Sequence, residues 1–388
     1  MKRLLSLLLS LSIALLVCGC QISPEQPSQP SDPSTAATQP VLETPPELTA
    51  VVLAPVLEQT FAADGVLLCT VGYQKPSIYV TDIANASLIY EDLMTRIESR
   101  KTESKDILAM ANELYSPDDL WQLYTYECLY TPARLDSRVI SLSGKSSSYA
   151  GGTHPNHWLL SVTYDTATGK VLELTDILES AAGLDAMCQY VLNALSNLGE
   201  DYYLYSDYVQ VVTDRFTPGG AGYGSWYLTG TGLSFYFSTY EIAPYAAGDI
   251  VIEVPYEELG GILKDAYFPE GTVSASGELA IAENTGAQFT QSISVKLDPE
   301  GTQVTLSPSG TVADVTIQQG SWSEDGTIFF VDSTLLFANR LTQQDAIVVT
   351  ADLDQASILR ISYCTGGQTR TCFLTMQDGV PALTAAQK

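Results

Sequence analysis

The sequence predicts α+β modules of antiparallel sheet and helix, followed by a C-terminal all-β domain of the immunoglobulin-like sandwich kind. Three observations carry this. Apolar residues at helical spacing are confined to two stretches, 84–124 and 176–199. The runs around them alternate with period two and are joined by hairpin-type turns, which argues against a doubly wound parallel sheet. Beyond Pro269 the helical signal stops. Strand-like runs at Glu278–Ala282, Gln288–Leu297, Gln303–Leu306, Val312–Gln318, Thr327–Asp332, Ala346–Ala351, Ile358–Tyr363 and Thr371–Met376 are separated there by Gly, Pro, Asp and Ser.

At the N-terminus, Lys2 and Arg3 precede the apolar run Leu4–Val17. A spanning helix needs roughly 20 apolar residues, so this shorter run reads as a signal-peptide core. Val17-Cys18-Gly19-Cys20 follows, with an aliphatic residue three positions before Cys20 and a small one directly before it. The pattern resembles the lipobox of bacterial lipoproteins. Residues 1–19 are expected to be removed and Cys20 to carry the lipid; Cys18, after bulky Val17, is the poorer site. From Cys20 to residue 48, Pro24, Pro27, Pro30, Pro33, Pro40, Pro45 and Pro46 alternate with Ser, Thr, Gln and Ala, too few large apolar groups to pack. This is a tether, and the chain is expected to be exported and lipid-anchored on the outer side of the cytoplasmic membrane, at the cell surface.

Residues 49–135 form the first α+β module. Val51–Leu53, Val66–Leu68 and Ile78–Val80 read as short strands between Pro and Gly breaks. Leu88, Ile89, Leu93, Ile97, Ile107, Leu108, Ala111 and Leu114 then mark a helical region that Pro117 ends, and Asp118-Asp119 is positioned to open a short helix at Leu120. Residues 136–268 form the second module. Period-two alternation through Leu159–Asp165 leads into an Asp-x-x-x-Gly-Lys turn, Thr175-Asp176 caps a helix ending at Gly199, strands resume at 224–228, 233–237 and 249–254, and Tyr256–Leu263 reads as a closing helix. Residues 269–388 form the sandwich.

The chain carries 18 Lys and Arg against 45 Asp and Glu, a formal charge of −27. That argues against nucleic acid and anionic headgroups as partners. Solubility is the ordinary reason for such acidity, and steering of a cationic partner is the functional one. Of the seven cysteines, Cys69, Cys128 and Cys188 read as buried apolar residues and none has CxxC spacing. Cys364 and Cys372 flank a polar hairpin tip, where a cross-strand disulfide is expected.

The two histidines lie together in Tyr149-Ala150-Gly151-Gly152-Thr153-His154-Pro155-Asn156-His157. His154 and His157 invite a metal reading, but a catalytic zinc site needs a third protein ligand and none is identifiable. The alternative is structural: Gly151 and Gly152 make a tight backbone passage, with His154 buried where a strand begins and satisfying backbone groups. Gly-x-Ser-x-Gly, His-Glu-x-x-His and Walker-type loops are absent, and each carboxylate is first a solvated surface group. No cofactor is expected. The run Trp226–Phe237 and the loop after it are rich in aromatic residues; Phe235 and Phe237 read as core, and Tyr240 and Tyr245 as candidate binding residues in a loop.

The segments Tyr149–Asn156, Tyr164–Leu178 and Tyr240–Gly248 with Val254–Leu259 together resemble an extracellular domain-of-unknown-function family. It is shared by the lysozyme-sensing anti-sigma factor RsiV and the non-catalytic region of the peptidoglycan deacetylase PdaC. The likeness covers about 136–267, with 50–135 resembling the companion module and 270–388 outside it. A sigma-binding segment with a spanning helix, and the deacetylase's Asp-Asp and His-x-x-x-His motifs, have no counterpart here. The resemblance implies a non-catalytic module that recognises an envelope ligand, either a cationic lysozyme-like protein or wall peptidoglycan. An enzyme modifying wall polysaccharide through His154 and an acidic partner, or a structural spacer, are the alternatives.

Overall fold

The chain opens on two long strands, β1 (Ala50–Phe61) and β2 (Leu67–Tyr79), paired antiparallel over almost their whole length. The computed structural model describes residues 47–199, 202–220, 223–271, 273–282, 289–323, 329–353 and 358–385; the signal segment, Cys20 and the tether up to residue 46 lie outside them. The short strands expected between proline breaks are thus continuous. Pro55 faces Gln74 and Pro76 faces Leu53 within the hairpin, and the other edge of each strand carries no ladder at that point. A residue without an N–H is tolerated there.

Helices α1 (Ile83–Lys101) and α2 (Ser104–Leu114) follow, the first capped by the Asp82 carboxylate accepting from the Ala84 N–H. They bury Ile89, Leu93, Ile97, Ile107 and Ala111 against the sheet. The helix expected at Leu120 does not form; that residue sits on an exposed turn, and Trp121 packs instead, stacked on Tyr124. Because the two helices form a long crossover, β3 (Tyr124–Leu135) pairs parallel to β2, a departure from the all-hairpin connections expected. β4 (Val139–Tyr149), β5 (Asn156–Asp165) and β6 (Lys170–Val171) continue antiparallel, so pairing runs straight across the 135/136 boundary.

A capping box between Glu173 and Asp176 starts the short α3 (Leu174–Ile177), and α4 (Ala182–Ser196) ends before Gly199. α5 (Tyr208–Arg215) is a helix the sequence reading missed. A three-stranded antiparallel sheet of β7 (Trp226–Leu228), β8 (Gly232–Phe237) and β9 (Ile250–Pro255) then packs on the face of β4 and β5 that carries Ser141 and Thr163, where Ser141 Oγ accepts from the Leu228 N–H at 2.9 Å. Tyr256–Glu258 is one 3-10 turn, shorter than the helix expected over 256–263. Buried Arg134 on β3 pairs with Asp136 and donates to Tyr256 Oη (2.7 Å) and the Phe268 carbonyl (3.0 Å), tying the end of this unit back to the first.

The remainder is β10 (Leu279–Ile281), β11 (Gln291–Lys296), β12 (Thr302–Pro308), β13 (Val312–Trp322), β14 (Phe329–Leu341), β15 (Asp345–Ala351), β16 (Ile358–Thr365), β17 (Gln368–Gln377) and β18 (Val380–Ala385). β10-β12-β15-β11 make one sheet, with β11 and β15 parallel. β18-β17-β16-β13-β14 face it across a shared core that includes Ile293, Val304, Val315, Leu336, Ile347 and Ile361. The second of these sheets does not end there: β14 pairs with β1 through Ala50↔Ala338, so one 11-stranded sheet joins the C-terminal unit to the first module. The whole is mostly β, with helices on its faces.

The β16–β17 hairpin forms where the polar tip predicts it, but its register overturns the disulfide. Cys364 lies opposite Thr369 and Cys372 opposite Ile361. The two cysteines are three positions out of register, about 10 Å along a strand rising roughly 3.3 Å per residue, and an odd offset puts their side chains on opposite faces. A bridge needs Cα atoms within about 7 Å. Both are free thiols.

Candidate functional site

The loop before β5 and the loop before β9 meet at one end of the β4–β5 sheet. Gly151 and Gly152 hold φ of +84° and +106°. A Cβ on Gly152 would meet nothing within 4 Å, so the backbone conformation itself, and no crowding, calls for glycine there. The Tyr149 hydroxyl closes the loop, its one proton within reach of the Gly152 carbonyl (3.0 Å) and the Gln122 amide oxygen (3.1 Å). Pro155 ends the loop, and Asn156 starts β5 on an exposed edge.

His154 is not buried as the sequence reading expected. It is half-exposed and lies face to face with Tyr245, ring centroids 3.8 Å apart and planes 17° from parallel. Its Nδ1 is 3.1 Å from the Pro155 carbonyl, and its Nε2 is 3.5 Å from the hydroxyl of Tyr240, itself 53% exposed. Tyr245 also donates to the Pro155 carbonyl at 3.3 Å and sits 5.7 Å, centroid to centroid, from Tyr240. The three rings form one open cluster.

His157 points to the same side but plays another part. Its Nε2 is 2.8 Å from Asp249 Oδ1, while Lys145 Nζ from β4 reaches Asp249 Oδ2 at 3.0 Å. Burial pushes the Asp249 carboxyl up, but the hydrogen bonds from His157 and Lys145 outweigh it and hold it below the usual carboxylate range. Lys145 and Asp249 were invisible as partners in the sequence; the only hint was that Asp249 directly follows the aromatic loop. Among the described residues, no group of three or more His, Cys, Asp or Glu side chains is placed to hold a metal ion, and no Ser, Thr or Cys side chain is hydrogen-bonded to either histidine.

The Tyr240–Tyr245 loop is anchored from beneath. Buried Arg215 pairs with Glu241, donates to the Tyr236 carbonyl, and lies over the Phe237 ring at 4.3 Å. Glu241 also accepts from the Ser238 N–H (2.9 Å), and Ser238 Oγ accepts from the Leu159 N–H of β5 (2.9 Å). Ile242 and Ala243 enter the core, while Tyr240 takes the left-handed φ of +67° that turns its ring outward. These contacts place partly exposed rings on a fixed base.

The chain is thus a mostly β scaffold with an open ring cluster at one end of its β4–β5 sheet. Residues 175–257 match a family described as a protein of unknown function, DUF3298. That span contains Tyr240, Tyr245 and Asp249 and leaves out His154, His157 and Lys145. Two solved structures are similar: a member of that family from Bacteroides fragilis (15% identity, covering 56% of this chain and 94% of the other, TM-score 0.37) and one from Pseudomonas aeruginosa PAO1 (15% identity, 56% and 96%, TM-score 0.35). No curated protein matches the chain. No helix among the described residues is long and apolar enough to cross a membrane.

Proposed function

We propose that this chain is a non-catalytic, lipid-anchored recognition protein of the cell envelope, with the His154, Tyr240 and Tyr245 cluster as its contact surface. The observation that carries the reading is the half-exposed stack of His154 on Tyr245 beside exposed Tyr240, held on a base fixed by Arg215 and Glu241. Exposed aromatic residues on a rigid support are what a binding hot spot consists of. The histidine beside the carboxylate is spoken for: both Asp249 oxygens are engaged, which suits an orienting clamp better than a general base. The charge of −27 favours a cationic lysozyme-like protein as ligand, with wall peptidoglycan as the second candidate. The likeness of residues 136–267 to RsiV and PdaC supports the same choice, and we read the C-terminal two-sheet unit as an immunoglobulin-like sandwich that carries the module.

The full chain, extracted from membranes, should retain a cationic muramidase, and Tyr245→Ala should lower that retention at least tenfold with only a slight shift in melting temperature. Equal retention by the variant, or turnover of glycan that needs His154, would overturn the reading. Cys20→Ala should release the chain from membranes or leave an unprocessed precursor.

A further inference from the structure

We infer a second binding site, on the opposite face of β5 from the ring cluster, that takes a neutral oligosaccharide. His157 and Trp158 are consecutive on a strand, so their side chains leave opposite faces. Trp158 is 46% exposed, and the cross-strand neighbours that would ordinarily cover such a ring are small: Ser146 directly opposite, and Ser148 on the next pair of the same face. The ring forms one wall of a cleft of about 430 Å³ whose other sides are Arg100, Glu103, Asp106, Ile107, Tyr126 and Ser148. That size lies within the usual range of small-ligand sites.

The chemistry of the walls selects the ligand. A pyranose ring presents a C–H face that packs on an indole and an equator of hydroxyls that need donors and acceptors in fixed positions. Trp158 offers the apolar face. Tyr126 is buried, and its hydroxyl is placed by the Arg100 carbonyl (2.5 Å), Ser146 Oγ (3.0 Å) and Glu103 Oε2 (3.3 Å). The Arg100 guanidinium pairs with Glu103 at 3.0 Å, giving a planar donor fork beside a planar acceptor. This pairing also bears on the ligand class. With Arg100 balancing Glu103, the cleft's net charge is that of Asp106 alone, and the paired polar groups beside the indole suit hydroxyls, while trilysine tests the attraction of a cation to Asp106. The site does not depend on what the ring cluster binds.

The test uses the full chain with an N-acetylglucosamine trimer, a cellotriose and a trilysine peptide as probes, read by calorimetry and indole fluorescence. A saccharide should bind and change the emission of the native chain. Trp158→Ala should lower affinity at least tenfold and Trp158→Phe less, Glu103→Gln should weaken binding several-fold, and Tyr245→Ala should leave it unchanged. Saccharide binding unaffected by Trp158→Ala, no saccharide binding at all, or trilysine binding that needs Trp158 would each overturn the proposal. Loss of muramidase retention in Tyr245→Ala concerns the other site alone.

Discussion

Arg215 and Glu241 form an ion pair beneath the loop that presents Tyr240 and Tyr245, and the arginine is only 2% exposed. A guanidinium buried this deeply tolerates loss of its counter-charge badly. Glu241→Ala should therefore destabilise the chain by about 3 kcal/mol, whereas Arg215→Met combined with Glu241→Ala should recover part of that loss. Urea midpoints of the parent and the two variants check this. A single variant as stable as the parent would show that the loop does not rest on the pair.

Asp249 gives a pH signature. Its carboxyl is held below the usual range in the folded chain. A depressed folded value contributes stability that is fully present above the unfolded value, near about 4, and is lost as pH falls through the folded value. Asp249→Asn should melt below the parent at neutral pH, and the two curves should converge as pH drops below about 4. Melting temperatures across that range would show a constant gap if the carboxylate's charge were irrelevant.

The His154–Tyr245 stack is a half-exposed contact and should be cheap to lose. Its contribution beyond buried area is on the order of 1 kcal/mol, so His154→Ala should shift the melting temperature only slightly. A fall comparable to that of a core truncation would place His154 back among the structural residues.

Gly152 needs its positive φ. Gly152→Ala should cost about 1–2 kcal/mol through backbone strain alone, since the added methyl meets no neighbour. Chemical denaturation measures this directly, and a neutral result would mean that the loop relaxes freely.

Cys364 and Cys372 should both be alkylated without prior reduction, as free thiols. Burial pushes the Cys372 thiol up to about 11, so its labelling at neutral pH should be slow and should accelerate in denaturant. A mass spectrum showing the two joined would contradict the register of β16 and β17.

Much was legible in the sequence where the signal was local. The period-3.6 pattern through Leu93, Ile97 and Ile107 places two helices, the Asp165–Lys170 turn places a hairpin, and the strand runs after Pro269 make an all-β unit. Tyr149, Gly151, Gly152, His154, Tyr240 and Tyr245 stood out because glycine pairs and dense aromatic residues are unusual in any context. Prolines misled the reading at β1 and β2, because whether Pro55 breaks a strand depends on which edge is paired, a fact absent from its neighbours in sequence. The helix at Tyr208–Arg215 was missed since it is short and its apolar positions are mostly β-branched valines, which favour strand.

By itself, then, the sequence determined the local turns, the periodicities and the charge balance, because each depends on residues within a few positions of one another. Only the tertiary structure decided that His154 meets Tyr245, that Lys145 and His157 clamp Asp249, that Cys364 and Cys372 face apart, and that β14 joins β1 into one sheet. Those relationships follow from strand register and sheet order. Shifting a strand by one residue reverses every side chain on it, and register is set by the packing of whole faces.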